Sequence, residues 1–129
     1  MKKTFLLVDD DRDDQQLLAE AFQATHQEVE IRAVSSAREA LQYLELHHNT
    51  LPHLLIVDYN MPDHNGAELL DMIAAQPDLS GIPVVVWSTS DSGRYREICE
   101  RKGARAYFRK PERFQDLVAL TVEIFPHAR

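Results

Sequence analysis

Short apolar runs alternate with longer stretches of helical period along the whole chain. The runs that predict strands are rich in β-branched and apolar residues, and they cover residues 3–8, 29–34, 54–57, 82–87 and 104–108. The stretches that predict helices repeat apolar residues every three or four positions, and they cover residues 15–24, a segment that starts at Ser36, and residues 67–75, 95–102 and 114–125. Five strands alternating with five helices predict an α/β fold in which helices cover both faces of a parallel sheet.

Local patterns refine this prediction. In residues 29–34, Glu30 and Arg32 alternate with apolar neighbours, which is typical of an edge strand. Ser36 followed by Glu39 forms a capping-box pattern at the start of the second helix. Gly103 follows the fourth helix in the position favoured for a C-cap.

The helical phase also predicts which side chains face the sheet. We expect Leu17, Leu18, Ala21 and Phe22 on the buried face of the first helix. In the last helix the corresponding residues are Phe114, Leu117, Val118 and Thr121. Trp87 should point away from the face that Ser88 occupies, because side chains alternate along a strand, and should therefore pack in the core.

Composition limits the class of protein. The 129 residues suit a single domain over 1–129, and the pattern leaves no segment for a second domain. The formal net charge of −7 disfavours binding to nucleic acid. Cys99, the single cysteine, is expected as a packed thiol in a reducing cytoplasm, and no run approaches the length of a membrane span.

Polar and charged residues follow the predicted strands where a parallel sheet binds ligands, at the carboxyl ends. They are Asp9, Asp10 and Asp11 after strand one, Asp58 after strand three, Ser88 and Thr89 after strand four and Lys110 after strand five. Each also has an ordinary interpretation as a cap, a turn or a solvated loop residue. Their joint occurrence in chain order is what predicts a site.

The chemistry of such a cluster points to a metal ion and a phosphoryl group. Asp9, Asp10 and Asp58 would repel one another without a cation, and Mg²⁺ prefers oxygen ligands of this kind. Lys110 could neutralise a phosphoryl oxygen and the Ser88 hydroxyl could bind another. A carboxylate such as Asp58 can act as the nucleophile that forms an aspartyl phosphate.

Four segments resemble the receiver domain of two-component response regulators. They are "LLVDDD", "LLIVDYNMPDHNG", "VVVWSTS" and "AYFRKP", and their order and spacing cover nearly the whole chain. The resemblance implies a flavodoxin-like (CheY-like) sheet in the order 2-1-3-4-5. It also implies that a histidine kinase or another phosphohistidine protein passes a phosphoryl group to Asp58.

The resemblance assigns roles residue by residue. Asp9 and Asp10 match the metal-binding acids, Asp58 the phosphoacceptor, and Asn60 the position whose backbone carbonyl completes the shell of Mg²⁺ or Mn²⁺. The remaining matches are Ser88 as hydroxyl switch, with Thr89 beside it, Tyr107 as aromatic switch, Lys110 as active-site lysine, and Pro111 as the residue after a cis peptide bond. Glu112, Thr89 and Ser90 depart from the commonest residues, which bears on the lifetime of the phosphoryl group.

The resemblance implies a signalling module with limited chemistry of its own. Because the pattern ends after the fifth helix, we expect no DNA-binding or catalytic output domain, and output through a downstream protein or a further histidine protein. The surface expected to change covers residues 92–125 and can support a homodimer. No nucleic-acid or membrane partner is expected.

Two alternatives stay open at this point. A haloacid-dehalogenase-like phosphatase also uses an Asp nucleophile on a parallel sheet, in a D-x-D motif that Asp9 and Asp11 nominally supply. The short chain and the loop "DYNMPDHNG" on strand three argue against it. A degenerate receiver acting as a scaffold is disfavoured because every matched site position is filled.

Asp63 and His64 lie in the loop "DYNMPDHNG" and are expected to be solvated, although a kinase could recognise them.

Overall fold

Five parallel strands form one sheet in the order β2-β1-β3-β4-β5 in the structure, a computed structural model that describes residues 2–90 and 92–129. The strands are β1 Lys3–Val8, β2 Val29–Val34, β3 Leu54–Asp58, β4 Val84–Ser88 and β5 Ala106–Arg109. The helices are α1 Arg12–Thr25, α2 Ala37–Leu46, α3 Gly66–Ala74, α4 Gly93–Arg101 and α5 Phe114–Ile124, followed by a 3₁₀ turn at Phe125–His127. The predicted strand order is confirmed.

The register of the sheet aligns the carboxyl ends of the central strands. β1 pairs with β3 at Val8 and Val57, and β3 pairs with β4 at Asp58 and Trp87. β4 pairs with β5 at Ser88 and Arg109, the last residues of the two strands. Residues that follow these strands therefore gather at one edge, where open parallel sheets bind ligands.

Two apolar layers cover the sheet, one on each face. The layer under α2, α3 and α4 contains Leu6, Val8, Leu55, Val57, Val86 and Tyr107 from the strands. The layer under α1 and α5 contains Phe5, Leu7, Leu54, Ile56, Val85 and Trp87. All residues of β3 and β4 are buried, whereas β2 is mostly half-buried or exposed, which confirms its place at the edge.

Several helix and strand ends differ from the predicted ones. α1 begins at Arg12 because the Asp11 carboxylate accepts hydrogen bonds from the N–H groups of Asp13 and Asp14, at 2.9 and 3.1 Å, and so caps the helix. β4 begins at Val84, directly after Pro83, which has no N–H to donate to a sheet. α1 therefore begins three residues before the predicted start at Gln15, and β4 begins two residues after the predicted start at Ile82.

The predicted caps are largely confirmed. Ser36 Oγ accepts the N–H of Glu39 at 3.1 Å, but the Glu39 carboxylate accepts the N–H of Ser35 and not that of Ser36. Only half of the capping box is thus formed. Gly103 follows α4 with a φ of 102°, a conformation that glycine adopts at little cost.

The predictions that Leu17 and Phe114 lie in the core are wrong. Leu17 is 40% exposed and Phe114 is 45% exposed. In α1 the buried face begins at Leu18, one position after Leu17. Phe114 lies in the first turn of α5, before the buried positions of that helix begin at Leu117. Cys99 is fully buried, as predicted.

Candidate functional site

Three carboxylates converge at the carboxyl edge of the sheet. Asp9 follows β1 and is fully buried, Asp58 ends β3 and is 5% exposed, and Asp10 is exposed. One oxygen from each lies within 4.8 Å of the others. The sequence therefore predicted correctly that these three side chains meet.

Lys110 places its ammonium among buried acids. Its Nζ lies 2.8 Å from Asp9 Oδ2 and 3.1 Å from Asp58 Oδ2. A third acid, Asp14, brings Oδ2 to 2.9 Å of the same nitrogen. Asp14 is not among the predicted site residues, because the first helix was predicted to begin at residue 15. A helix starting at Arg12 would have placed Asp14 in the first turn, next to the other acids.

Backbone donors fix the second oxygen of each buried acid. The N–H of Asp11 donates to Asp9 Oδ1 at 2.9 Å, and the N–H of Asn60 donates to Asp58 Oδ1 at 3.1 Å. Each carboxylate thus faces a backbone N–H on one side and the Lys110 ammonium on the other. Asn60 itself is exposed, and the role expected of its carbonyl stays a prediction.

The electrostatics of the site favour an added cation. Burial raises the pKa of Asp9 to about 7, against the opposing effect of Lys110. Burial also raises the pKa of Asp58, again partly offset by Lys110. For Lys110, burial acts to lower the pKa, but the close contacts with Asp9 and Asp14 outweigh it and the pKa is raised. The Lys110 ammonium is therefore charged, but its positive charge does not fully offset the effect of burial on the pKa values of Asp9 and Asp58.

Trp87 packs directly beneath this cluster. The side chain is 1% exposed within the layer under α1 and α5, so the prediction that it belongs to the core is confirmed. Its ring centroid lies 4.8 Å from Lys110 Nζ, close enough for a cation–π contact. The only tryptophan of the chain therefore contacts the lysine of the site.

Ser88 and Tyr107 meet at the backbone of Ser90. The fully buried Ser88 hydroxyl accepts the N–H of Ser90 at 3.1 Å, and the Tyr107 hydroxyl donates to the Ser90 carbonyl at 3.0 Å. Arg96 of α4 donates to the Tyr107 carbonyl at 2.9 Å, with its guanidinium 5.2 Å from the Tyr107 ring centroid. The loop after β4 is therefore tied to both residues. Thr89 is exposed in this loop.

The predicted cis peptide bond before Pro111 is wrong. None of the peptide bonds among residues 2–90 and 92–129 is cis, so the bond from Lys110 to Pro111 is trans. The trans form of an X–Pro bond is the more stable one by about 0.5–1 kcal/mol unless the surroundings demand otherwise.

The loop after β3 is tied down at both ends. Asp63 is exposed, as predicted, and its carboxylate also accepts the N–H groups of Ala37 and Arg38 at 3.1 and 2.9 Å and so caps α2. Burial acts to raise its pKa, but these backbone donors outweigh it and the pKa is lowered. At the other end, the N–H of Gly66 donates to the carbonyl of Tyr59 at 2.8 Å.

Asp11 has no place in the cluster. Its carboxylate caps α1, and it is exposed. A phosphatase with the D-x-D motif would need Asp9 and Asp11 side by side in the site, so the geometry disfavours that alternative. Among the described helices, none combines the length and apolar character that a membrane span requires.

Comparisons with known proteins agree with this geometry. Residues 5–121 match the family model described as the response regulator receiver domain. The two-component response regulator ORR12 of Oryza sativa subsp. japonica is 32% identical over 112 residues, which are 87% of this chain and 89% of that protein. The response regulator Rcp1 of Synechocystis is 34% identical over 92 residues, 68% of this chain and 63% of that protein.

Solved structures of response regulators have the same fold as this chain. The phosphorylated cyanobacterial phytochrome response regulator RcpA superimposes with a TM-score of 0.86 at 30% identity, covering 96% of this chain and 91% of that one. The Mn²⁺-bound form of Rcp1 gives a TM-score of 0.82 at 28% identity, covering 95% and 91%.

Proposed function

The chain belongs to the response regulator receiver domain family, and from this premise we propose that Asp58 accepts a phosphoryl group from a phosphohistidine. The donor would be a sensor histidine kinase or a phosphotransfer protein. The observation that carries the proposal is the position of Lys110, whose ammonium lies 3.1 Å from Asp58 Oδ2 while Asp9 and Asp10 crowd the same carboxylate.

The proposed step is a displacement at phosphorus. A carboxylate oxygen of Asp58 forms a bond to phosphorus while the bond from phosphorus to the donor imidazole nitrogen breaks. The imidazole leaves with the bonding electron pair and takes a proton from solvent. Lys110 binds an oxygen of the transferred group and offsets its negative charge, a role that suits an ammonium held in place before the reaction.

The donor set fits a divalent cation of the hard class. Asp9, Asp10 and Asp58 would hold Mg²⁺ or Mn²⁺, with the Asn60 carbonyl as a further oxygen ligand. Such an ion would lower the pKa values of Asp9 and Asp58, which burial raises. When bound, the cation supplies positive charge between the carboxylates and the incoming phosphoryl oxygens. The Mn²⁺-bound form of Rcp1 supports this assignment by similarity.

Phosphorylation would act as a switch. Ser88 ends β4, beside the strand that ends in Asp58, so its hydroxyl or that of Thr89 would bind a phosphoryl oxygen. Ser88 is linked through Ser90 to Tyr107. A group that draws Ser88 toward Asp58 changes the hydrogen bonds of this loop, and therefore the surface of α4, β5 and α5. That surface would contact a downstream protein or a second copy of the chain.

The proposal describes a signalling domain, not an enzyme with turnover. Its own chemistry would be limited to phosphoryl uptake and slow loss of the aspartyl phosphate. We also propose that the protein is cytoplasmic and has no nucleic-acid or membrane partner. The net charge of −7 and the buried thiol of Cys99 support this. A scaffold without phosphorylation is disfavoured, because Asp9, Asp10, Asp58 and Lys110 are all in place.

A small phosphodonor tests the proposal without knowledge of the kinase. The chain is incubated with acetyl phosphate and Mg²⁺, and its intact mass is followed over time. We expect the addition of one phosphoryl group in the presence of Mg²⁺, no addition when EDTA is present from the start, and no addition to Asp58→Asn. Uptake by that variant, or steady release of phosphate over many turnovers, would contradict the proposal.

A further inference from the structure

Lys110 has more acidic partners than phosphoryl transfer to Asp58 requires. Its Nζ contacts oxygens of Asp9, Asp14 and Asp58 at 2.8, 2.9 and 3.1 Å. The contacts with Asp14 and Asp58 are hydrogen bonds, whereas the contact with Asp9 is an ion pair. Two of these acids belong to the proposed metal and phosphoryl site, and the third does not.

Asp14 reaches the lysine from a different element. It lies in the first turn of α1, and its side chain is 29% exposed. Its backbone N–H donates to the Asp11 carboxylate at 3.1 Å, so the cap of the helix also fixes the position of Asp14. α1 therefore presents the Asp14 carboxylate from a capped helix end to the long side chain of Lys110.

Trp87 also restricts Lys110. The ring centroid lies 4.8 Å from Nζ, while Asp14 holds the same nitrogen by a hydrogen bond of 2.9 Å. A free lysine side chain would lose rotamer entropy on being fixed. Contacts that fix it beforehand remove this cost from the reaction.

We propose that Asp14 is a positioning residue that holds the Lys110 ammonium at Asp58 before phosphoryl transfer and anchors it afterwards. The inference rests on the proposed function of Asp58. Once an Asp58 oxygen carries the phosphoryl group, Lys110 must turn one donor toward that group. Asp9 would also hold the metal ion, so Asp14 is the contact with Lys110 that neither phosphorylation nor metal binding would require to change.

Rates of phosphorylation test this role. Wild type, Asp14→Ala, Asp14→Asn and Asp13→Ala are compared at saturating Mg²⁺ over a range of acetyl phosphate concentrations. Asp13 is the matched control, since it is an exposed acid in the same helical turn. We expect Asp14→Ala to lower the maximal rate about tenfold, the scale of one hydrogen bond to a charged group, with little change in the half-saturating concentration.

The other variants sharpen the result. Asp13→Ala should keep the wild-type rate, and Asp14→Asn should lie between wild type and Asp14→Ala because its amide oxygen still accepts a hydrogen bond. A rate for Asp14→Ala at or above that of wild type would overturn the inference. So would a rate for Asp14→Asn no better than that of Asp14→Ala.

A second readout needs neither metal nor phosphodonor. Because Lys110 contacts Trp87, its release should change the tryptophan emission of metal-free Asp14→Ala and leave that of Asp13→Ala unchanged. Unchanged emission in Asp14→Ala would contradict the positioning role. If wild type takes up no phosphate, the proposed function fails, while the emission still reports whether Asp14 holds Lys110. Circular dichroism establishes that each variant is folded.

Discussion

The hydroxyl of Tyr107 donates a hydrogen bond of 3.0 Å to the carbonyl of Ser90. This bond joins β5 to the loop that follows β4. The N–H of the same residue, Ser90, donates to Ser88 Oγ, so one peptide segment connects both proposed switch residues.

Removing this hydroxyl should loosen the loop. Tyr107→Phe keeps the ring beside Arg96 but leaves the Ser90 carbonyl without its donor. We expect the free energy of unfolding to fall by about 1 kcal/mol, the usual net value of one hydrogen bond. Urea unfolding followed by circular dichroism measures it, and a variant as stable as wild type would show that the bond contributes nothing.

Asp9 should make the metal-free protein less stable as the pH rises. Burial raises its pKa from 3.8 to about 7, so between these values the folded chain holds a proton that the unfolded chain releases. Stability must then fall as the pH rises through this window. Melting temperatures measured in EDTA at a series of pH values test this.

Two comparisons isolate the effect of Asp9. In Asp9→Asn the fall with pH should be smaller, with Asp58, whose pKa is also raised, accounting for the remainder. Saturating Mg²⁺ should reverse the slope because it binds the deprotonated carboxylates. A metal-free wild type whose melting temperature rises across the same window would refute the assignment.

Asp63 should have the opposite pH dependence. Its pKa is lowered, so its contribution is present above its ordinary pKa of 3.8 and is lost as the pH falls below it. Because it caps two N–H groups of α2, we expect Asp63→Ala to cost about 0.5–2 kcal/mol at neutral pH and less in acid. Asp78→Ala, which removes another exposed acid, is the control, and equal losses in both variants would count against the cap.

Gly66 is required by a close approach of backbone. A Cβ on this residue would lie 3.1 Å from Tyr59 Cα and 3.2 Å from the Asp58 carbonyl oxygen, and neither backbone atom can move freely. We expect Gly66→Ala to lower the free energy of unfolding by about 1–3 kcal/mol, as overpacking does. A Cβ on Gly81 meets nothing within 4 Å, so Gly81→Ala should be neutral or stabilising by up to about 1 kcal/mol. Equal effects of both substitutions would disprove the steric argument.

The fold and the centre of the site could be predicted because they follow from local patterns. Strands buried on both faces are continuous apolar runs, and the carboxyl ends of parallel strands must meet at one edge. Asp9, Asp58 and Lys110 stand directly at such ends, so their convergence needs no knowledge of side-chain conformation.

The supporting contacts depend on details that the sequence does not specify. Five acids lie between residues 9 and 14, and only the capping geometry of Asp11 separates the helix cap from the site and turns Asp14 toward Lys110. Asp63 caps a helix that begins 26 residues earlier, a contact that only the packed structure brings about. The bond before Pro111 is trans, the form that an X–Pro bond adopts unless its surroundings demand the cis form.

Locating the phosphoryl group in the chain tests the central claim most directly. The phosphorylated protein is treated with borohydride, which reduces an acyl phosphate to an alcohol and so converts the modified aspartate to homoserine. Peptide mass spectrometry then identifies the converted residue. The account predicts homoserine at position 58 and at no other aspartate. Conversion at Asp9, Asp10 or Asp14, or a phosphoryl group that resists reduction, would contradict it.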